Sequence, residues 1–468
     1  MWSGLDVLVR QGTQFVVMVA LARLLSPEQF GIVAVMTLLT VLGTVLVDGG
    51  FGAAIIQSPR RSPRAESSVF YLNIAIGVTI TAAIAGLAPI VASFYSMPEL
   101  RQIAPVMGLS VAISSLGTVP VATLTRDLRI RPIMVAGAAG SIASGTCAIW
   151  LAASGYGIWA LAWQPVILAS VQVSTIWLAR SWRPLLVIDL SEAKQLLRFG
   201  GYVFAANALD ALYARSYTVA LGRFYTPASV GLYNRADAAQ QFSVGLISGA
   251  LSRITMPALR RHTGDRLRMR GVVRRMLRST MLINVPAMML LAAFSAQIME
   301  LMYGSAWSEA ATPFAILCLA GMFWPLHVLN LQVIMTLGLG RDFLTIELAK
   351  KSVGIVLLAL GATVGITGIA CGALLFSVVA FALNTIWVSR EIQYTLADQV
   401  RDCAGTFLLA APFAIGSFIA GHVWSGRPLI VVIAGLAASV AGYSAIAWRF
   451  SIVDFRETIA LLKGRGSD

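Results

Sequence analysis

The sequence predicts an all-α polytopic membrane protein of about fourteen transmembrane helices, arranged as two parallel six-helix repeats followed by two C-terminal helices. Three observations predict it. The 468-residue chain is 58% hydrophobic and 12% charged, where a soluble domain carries about 25% charge. Its apolar residues gather into runs of about 20, the length that crosses a bilayer. One half of the chain echoes the other at a fixed offset.

The runs lie near 4–22, 30–56, 68–95, 101–124, 133–153, 156–179, 196–221, 229–256, 279–303, 310–338, 343–363, 366–389, 403–422 and 428–448. A β-barrel is excluded, because its strands alternate over about ten residues. Mean hydropathy is +0.79, more apolar surface than a water-soluble chain of this size can hide.

The duplication is clearest at the first hinge. Ala22-Arg23-Leu24-Leu25-Ser26-Pro27-Glu28-Gln29-Phe30-Gly31 is matched by Gly222-Arg223-Phe224-Tyr225-Thr226-Pro227-Ala228-Ser229-Val230-Gly231. Arg60-Arg61 is echoed by Arg260-Arg261, Tyr95 and Pro105 by Tyr303 and Pro313, and Arg126-Asp127 by Arg341-Asp342. Thr175-Ile176-Trp177 closes the sixth run as Thr385-Ile386-Trp387 closes the twelfth. Six helices per copy give both copies one orientation, so the expected pseudo-symmetry axis lies along the membrane normal. Transporters built this way place their substrate between the halves. The expected domains are a first lobe at 1–180, a second at 196–390, a helix pair at 402–449 and a tail at 450–468.

Charge sets the orientation. Loops after odd-numbered runs hold only Arg23, Arg101, Arg223 and Arg427, while Arg10, Arg215 and Arg235 lie inside runs. The remaining Lys and Arg cluster in or beside the loops after even-numbered runs and in the tail. The positive-inside rule then places both termini in the cytoplasm. The net charge of +14 is therefore a topology signal and implies no nucleic-acid partner. No cleavable signal peptide is expected, since the first run has no basic preamble or small-residue cleavage site. Cys147, Cys318, Cys371 and Cys403 have no metal-like spacing and read as packing residues. No GxxxxGK[ST] stretch and no metal-spaced His/Cys cluster occurs, so the sequence predicts no cofactor and no metal site. No external loop is large enough to house a catalytic centre, which argues against an enzyme.

Charges within a membrane helix are costly and mark sites. The first run carries Asp6, Arg10 and Gln14 at i, i+4, i+8, one polar stripe. The seventh carries Asn207, Asp210 and Tyr217 on one face with Arg215 offset from it. The eighth carries Asn234, Asp237 and Gln241 with Arg235 on the flank, and the second carries Asp48 in Asp48-Gly49-Gly50-Phe51-Gly52. These four helices are equivalent pairs, which suggests a shared hydrophilic cavity. Three intramembrane Arg imply an anionic ligand, which a guanidinium fork suits, or internal ion pairs. Asp48, Asp210 and Asp237 are candidates for a coupling proton or cation, the alternative being that they neutralise those Arg. His327 reads as a hydrogen-bonded packing residue. Arg266, Arg270, Arg274 and Arg278 repeat at i+4, a basic face expected to lie on anionic membrane lipids. Glu347 and Lys351 form an expected i, i+4 ion pair.

Taken together, the segments Ala22–Gly31, Asp48–Gln57, Leu196-Leu197-Arg198-Phe199-Gly200, Gly231-Leu232-Tyr233-Asn234-Arg235-Ala236, Leu251-Ser252-Arg253 and Met256-Pro257-Ala258-Leu259 resemble the polysaccharide-transporter family of oligosaccharide flippases. That family belongs to the multidrug/oligosaccharidyl-lipid/polysaccharide exporter superfamily. The resemblance implies a bacterial inner-membrane flippase that moves a polyprenyl-diphosphate-linked oligosaccharide to the outer leaflet by alternating access between two lobes. It also implies work beside a polysaccharide polymerase and export machinery. The cavity residues Arg10, Gln14, Asn207, Arg215, Tyr217, Asn234, Arg235 and Gln241 would then bind substrate, the Arg meeting the diphosphate. The last two helices would help hold the lipid tail. Other readings are a multidrug or cation antiporter of the same superfamily and a non-catalytic scaffold. The family often shows Arg-Asn-x-Asp where this chain has Arg215-Ser216-Tyr217-Thr218, which weakens a coupling role there. It also begins with a longer basic segment, so the natural start is expected upstream of Met1.

Overall fold

The computed structural model describes residues 2–57, 62–179, 182–187, 189, 204–205, 207–423 and 428–449. Among them the chain is helical, without a strand, and nine helices are long and apolar enough to cross a membrane. It is a multi-pass membrane protein. It divides into two compact units, Met1–Asn234 and Arg235–Asp468.

The first unit contains α1 (Trp2–Leu24), α2 (Pro27–Asp48), α3 (Phe51–Gln57), α4 (Pro63–Tyr95), α5 (Leu100–Arg126), α6 (Ile130–Ala153) and α7 (Ile158–Leu178). It continues through α8 (207–214), α9 (Ser216–Phe224) and the start of α10 (Pro227–Arg260). The hinge motif explains two helix starts. Ser26 caps α2 in a capping box with Gln29, and Pro27 opens the helix, where its missing N–H costs nothing. In the second copy the Thr226 hydroxyl accepts from the Ser229 amide at 3.3 Å and Pro227 opens α10. α4 packs along α5, α6 along α7, and α5 against α7, with α1 on α6 and α3 on α5. Small residues set these approaches. A Cβ at Gly77 would stand 2.8 Å from Ser115, and Thr81 donates across to the Gly108 carbonyl at 2.8 Å.

One end of this unit is polar and buried. Glu66 on α4 pairs with Arg126 on α5 at 2.8 Å, and its second oxygen accepts from the Trp182 indole at 2.9 Å. Trp182 and Trp177 pack around Phe70 in a core with Phe51, Val69 and Val119. The Ser67 and Ser68 hydroxyls accept from the amides of Leu185 and Asp189. The segment after α7 is thereby strapped to α4.

The second unit contains the rest of α10, α11 (Arg266–Ala293), α12 (Ser295–Tyr303), a 3₁₀ turn (Ser305–Ala310), α13 (Ala311–Gly321), α14 (Trp324–Thr336), α15 (Gly340–Gly361), α16 (Ile366–Ile392), α17 (Leu396–Val423) and α18 (Pro428–Arg449). Several sequence runs are single spans broken in the middle. The tenth is α13 and α14, parted just before Pro325, which has no N–H to donate to the Gly321 carbonyl four residues back. The Asn284 amide donates to both carbonyls at this break, Gly321 at 3.2 Å and Met322 at 3.1 Å. That is how a broken helix is tolerated within a membrane. The last two helices pack on α11 and α12, through Tyr443 donating to the Leu282 carbonyl and Gln297 to that of Gly421.

Two expectations change here. The basic face expected on anionic lipids is largely taken up by ion pairs. It lies on the first part of α11, capped by Asp265, and three of its four i+4 arginines face carboxylates far along the chain. Arg266 meets Glu391 at 3.6 Å, Arg270 meets Asp398 at 3.2 Å, and Arg274 grips Asp402 through two bonds of 2.7 Å. Glu347 pairs with Lys350, its i+3 neighbour, in place of Lys351, because both positions share the helix face and Lys350 is the buried one.

A buried amide cluster joins three helices of this unit. Asn330 donates to Thr385 and to Gln399, both at 3.1 Å, and accepts from Gln399 at 3.2 Å. His327 lies 3.5 Å from the Asn384 amide beside it. A hydrogen bond between membrane helices contributes about 0.6 kcal/mol on average. Asn330→Ala removes three and is expected to lower stability by about 2 kcal/mol, read as a fall in the thermal unfolding midpoint in detergent.

Candidate functional site

The described candidates divide between the two units. In the first, Tyr217 and Asn234 are brought together: the Asn234 amide donates to the Tyr217 hydroxyl at 3.4 Å, and the Tyr217 ring packs on Tyr233 at 4.8 Å. Arg215 sits half-buried at the turn between α8 and α9. Asn207 and Asp210 are exposed on α8, and Gln14 is exposed on α1. The side chains of Asp6 and Arg10 lie outside the described residues, as does the whole Leu196–Gly200 stretch. In the second unit, Arg235 and Asp237 are half-buried on α10 and Gln241 is exposed. Arg235 lies within electrostatic reach of the Tyr303 hydroxyl.

Asp48 has a distinct setting. It ends α2, and Gly49 and Gly50 follow with φ of 49° and 74°. Only glycine adopts such a pair of left-handed residues without strain, so the helix breaks here and restarts as α3. The Asp48 carboxylate accepts from the amides of Gly50 and Gly52. A Cβ at Gly52 would lie 2.8 Å from its Oδ1, so glycine is what allows the close approach.

The break opens onto a cavity of about 440 Å³ between α2, α3, α5 and α7. Ser114, Thr118, Thr125 and Gln172 line it together with Asp48. Sequence reasoning missed these four. Their signal was weak but present, since Ser114, Thr118 and Thr125 fall on one face of α5 at i, i+4 and i+11. Among the described residues, no group of three or more His, Cys, Asp or Glu could hold a metal ion, and the four cysteines are unbridged.

A family model described as a polysaccharide biosynthesis protein matches residues 20–312. The chain belongs to the polysaccharide biosynthesis protein family. The chain is similar to a succinoglycan biosynthesis transport protein of Rhizobium meliloti (strain 1021), 26% identical over 68% of this chain and 65% of its own length. A lipopolysaccharide biosynthesis protein of Escherichia coli (strain K12) is 24% identical over 69% of this chain and 66% of its own. The chain thus spans just under two thirds of the length of each. A teichuronic acid biosynthesis protein of Bacillus subtilis (strain 168) is 24% identical over 81% of this chain and 79% of its own. Among solved structures, a lipid II flippase in an inward closed conformation aligns with a TM-score of 0.79 at 12% identity, over 96% of this chain and 99% of that one. An inward-facing multidrug resistance transporter aligns at 0.65 and 15% identity, over 82% and 94%. These likenesses show the fold alone, an all-helical fold shared with those two proteins.

Proposed function

We propose that the protein is a flippase that carries a polyprenyl-diphosphate-linked oligosaccharide from the cytoplasmic to the outer leaflet of a bacterial inner membrane. It acts by alternating access, as a transporter and not an enzyme, with fourteen helices and both termini in the cytoplasm. The physical need is plain: a diphosphate does not cross about 30 Å of hydrocarbon unaided. Arg10, Arg215 and Arg235 meet the diphosphate, and Gln14, Asn207, Tyr217, Asn234 and Gln241 replace the water around the sugars. Asp210 and Asp237 couple the cycle to an ion or neutralise the guanidinium groups. The repeat architecture, with lobes at 1–180 and 196–390, supplies the two moving bodies. Polymerase and export machinery take the product, and at the start of α11 the exposed Arg268 and Arg275, which lie off the paired face, rest on anionic lipids.

The observation that supports this most is one of combination. A single chain joins a family of polysaccharide biosynthesis proteins to the fold of a lipid II flippase. The test uses cells lacking the gene. Lipid-linked repeat units are expected to accumulate beyond the reach of a periplasm-confined glycosidase added to spheroplasts. The gene restores access, and a variant with Arg10, Arg215 and Arg235 all replaced by alanine does not. Repeat units that reach the outer leaflet without the gene would overturn the proposal.

A further inference from the structure

We infer that the cavity beside Asp48 is a subsite for an uncharged sugar of the transported lipid, separate from the arginines that meet its diphosphate. The inference rests on the flippase reading and names what one part of the chain does within it.

Size is the first argument. The cavity is about 440 Å³, within the range of about 300–1,000 Å³ of small-molecule sites and far larger than a bare ion needs. A coupling cation would leave most of it empty.

Chemistry is the second. Among the lining residues Asp48 is the only charged one, and it is negative. A phosphate group is repelled there, whereas sugar hydroxyls donate readily to a carboxylate. Two acceptor positions of Asp48 are taken by the Gly50 and Gly52 amides, and a carboxylate has about four. Among the described residues, Ser114, Thr118 and Gln172 have no hydrogen-bond partner, although they line the cavity. Thr125 donates to the Val121 carbonyl at 2.8 Å, which leaves its oxygen free to accept. The set therefore offers both donors and acceptors, as a polyhydroxylated ligand requires. Between the polar groups stand Gly52, Ala53, Gly117, Ala122 and Ala169, small walls that leave room for a ring and present apolar surface to its C–H faces.

The test places a thiol in the cavity. In full-length protein with the four native cysteines replaced by serine, Thr118→Cys is reconstituted in vesicles and labelled with a maleimide. The probes are the lipid-linked repeat unit extracted from cells lacking the gene, and undecaprenyl diphosphate without sugar. The glycolipid is expected to slow labelling several-fold and the sugar-free diphosphate to leave it unchanged. In the native background, Gln172→Leu is expected to raise the Kd for the glycolipid about ten-fold, the effect of one lost buried hydrogen bond. Its Kd for undecaprenyl diphosphate stays constant. Protection by both lipids, or by neither, overturns the inference. Transport measured in the same vesicles separates the two claims: glycolipid that crosses without protecting the thiol removes the subsite and keeps the flippase. If Thr118→Cys does not fold, Ser114→Cys, one turn earlier on α5, carries the same measurement.

Discussion

Replacing Glu66 with alanine is expected to destabilise the protein by about 3–5 kcal/mol, the cost of leaving a buried charge without its partner. Glu66 is only 5% exposed and the Arg126 side chain 13%. Their 2.8 Å bond lies in a region closed off by Phe70, Trp177 and Trp182. Among the described residues the remaining carboxylate near Arg126 is Asp127, 3.7 Å away and more exposed, which is a poor replacement. Arg126→Ala leaves the Glu66 charge buried and costs a similar amount. The double variant removes both charges, so its cost falls well short of the sum; contacting residues couple by about 0.5–3 kcal/mol. Glu66→Gln keeps an acceptor for the Trp182 indole and loses only the charge, placing it between wild type and Glu66→Ala. The thermal unfolding midpoint of the full chain in detergent reads the order of wild type and the four variants. Chymotrypsin reads the local effect. Leu186 is 95% exposed, yet its segment is held through Trp182, Leu185 and Asp189, so cleavage beside it accelerates when Glu66 is lost. Equal midpoints and equal cleavage would show that the pair carries no load.

Why the sequence exposes some of this and hides the rest follows from where the information lies. The membrane fold is legible because hydropathy acts residue by residue and the bilayer enforces it over every span. The duplicated hinge is legible because Ser26-Pro27 and Thr226-Pro227 act locally, through a cap and a fixed φ, and both copies start a helix. The Asp48-Gly49-Gly50 break could be anticipated, since two consecutive glycines after an acid have few other uses inside an apolar run. Pairings over long separations leave no such trace. The i+4 arginine face of α11 is plain in the sequence, but Glu391, Asp398 and Asp402 lie more than a hundred residues away, so the face reads as lipid-facing. Glu66 falls just outside the third apolar run, and only the true start of α4 at Pro63 brings it onto the helix facing Arg126. The cavity was hidden for a different reason. Ser and Thr on membrane helices usually bond back to their own backbone, as Thr123 and Thr125 do, and periodicity cannot tell those from the hydroxyls of Ser114 and Thr118.

Gly31→Ala and Gly231→Ala are expected to be highly disruptive single-methyl changes, each costing about 3 kcal/mol or more. A Cβ at Gly31 would overlap the Pro227 carbonyl, and a Cβ at Gly231 would overlap the Pro27 carbonyl. Both obstacles are backbone, so no side-chain rotation relieves them and the first turns of α2 and α10 must separate. The contact is reciprocal: each copy of the motif sets its glycine against the proline that opens the other copy's helix. Such mutual packing is the pattern of a local two-fold relation, here between the two copies of the motif within the first unit. It also fixes what the double variant does. One separation of α2 from α10 accommodates both methyl groups, so Gly31→Ala with Gly231→Ala costs scarcely more than either alone, a deviation from additivity that distant sites do not show. A control pair, Gly31→Ala with Gly264→Ala, adds normally, because Gly264 has open space where a Cβ would go. Unfolding midpoints for the five variants decide the matter. Additive costs at Gly31 and Gly231 would mean that the two glycines answer to different neighbours and that the repeated motif is sequence similarity without a shared contact.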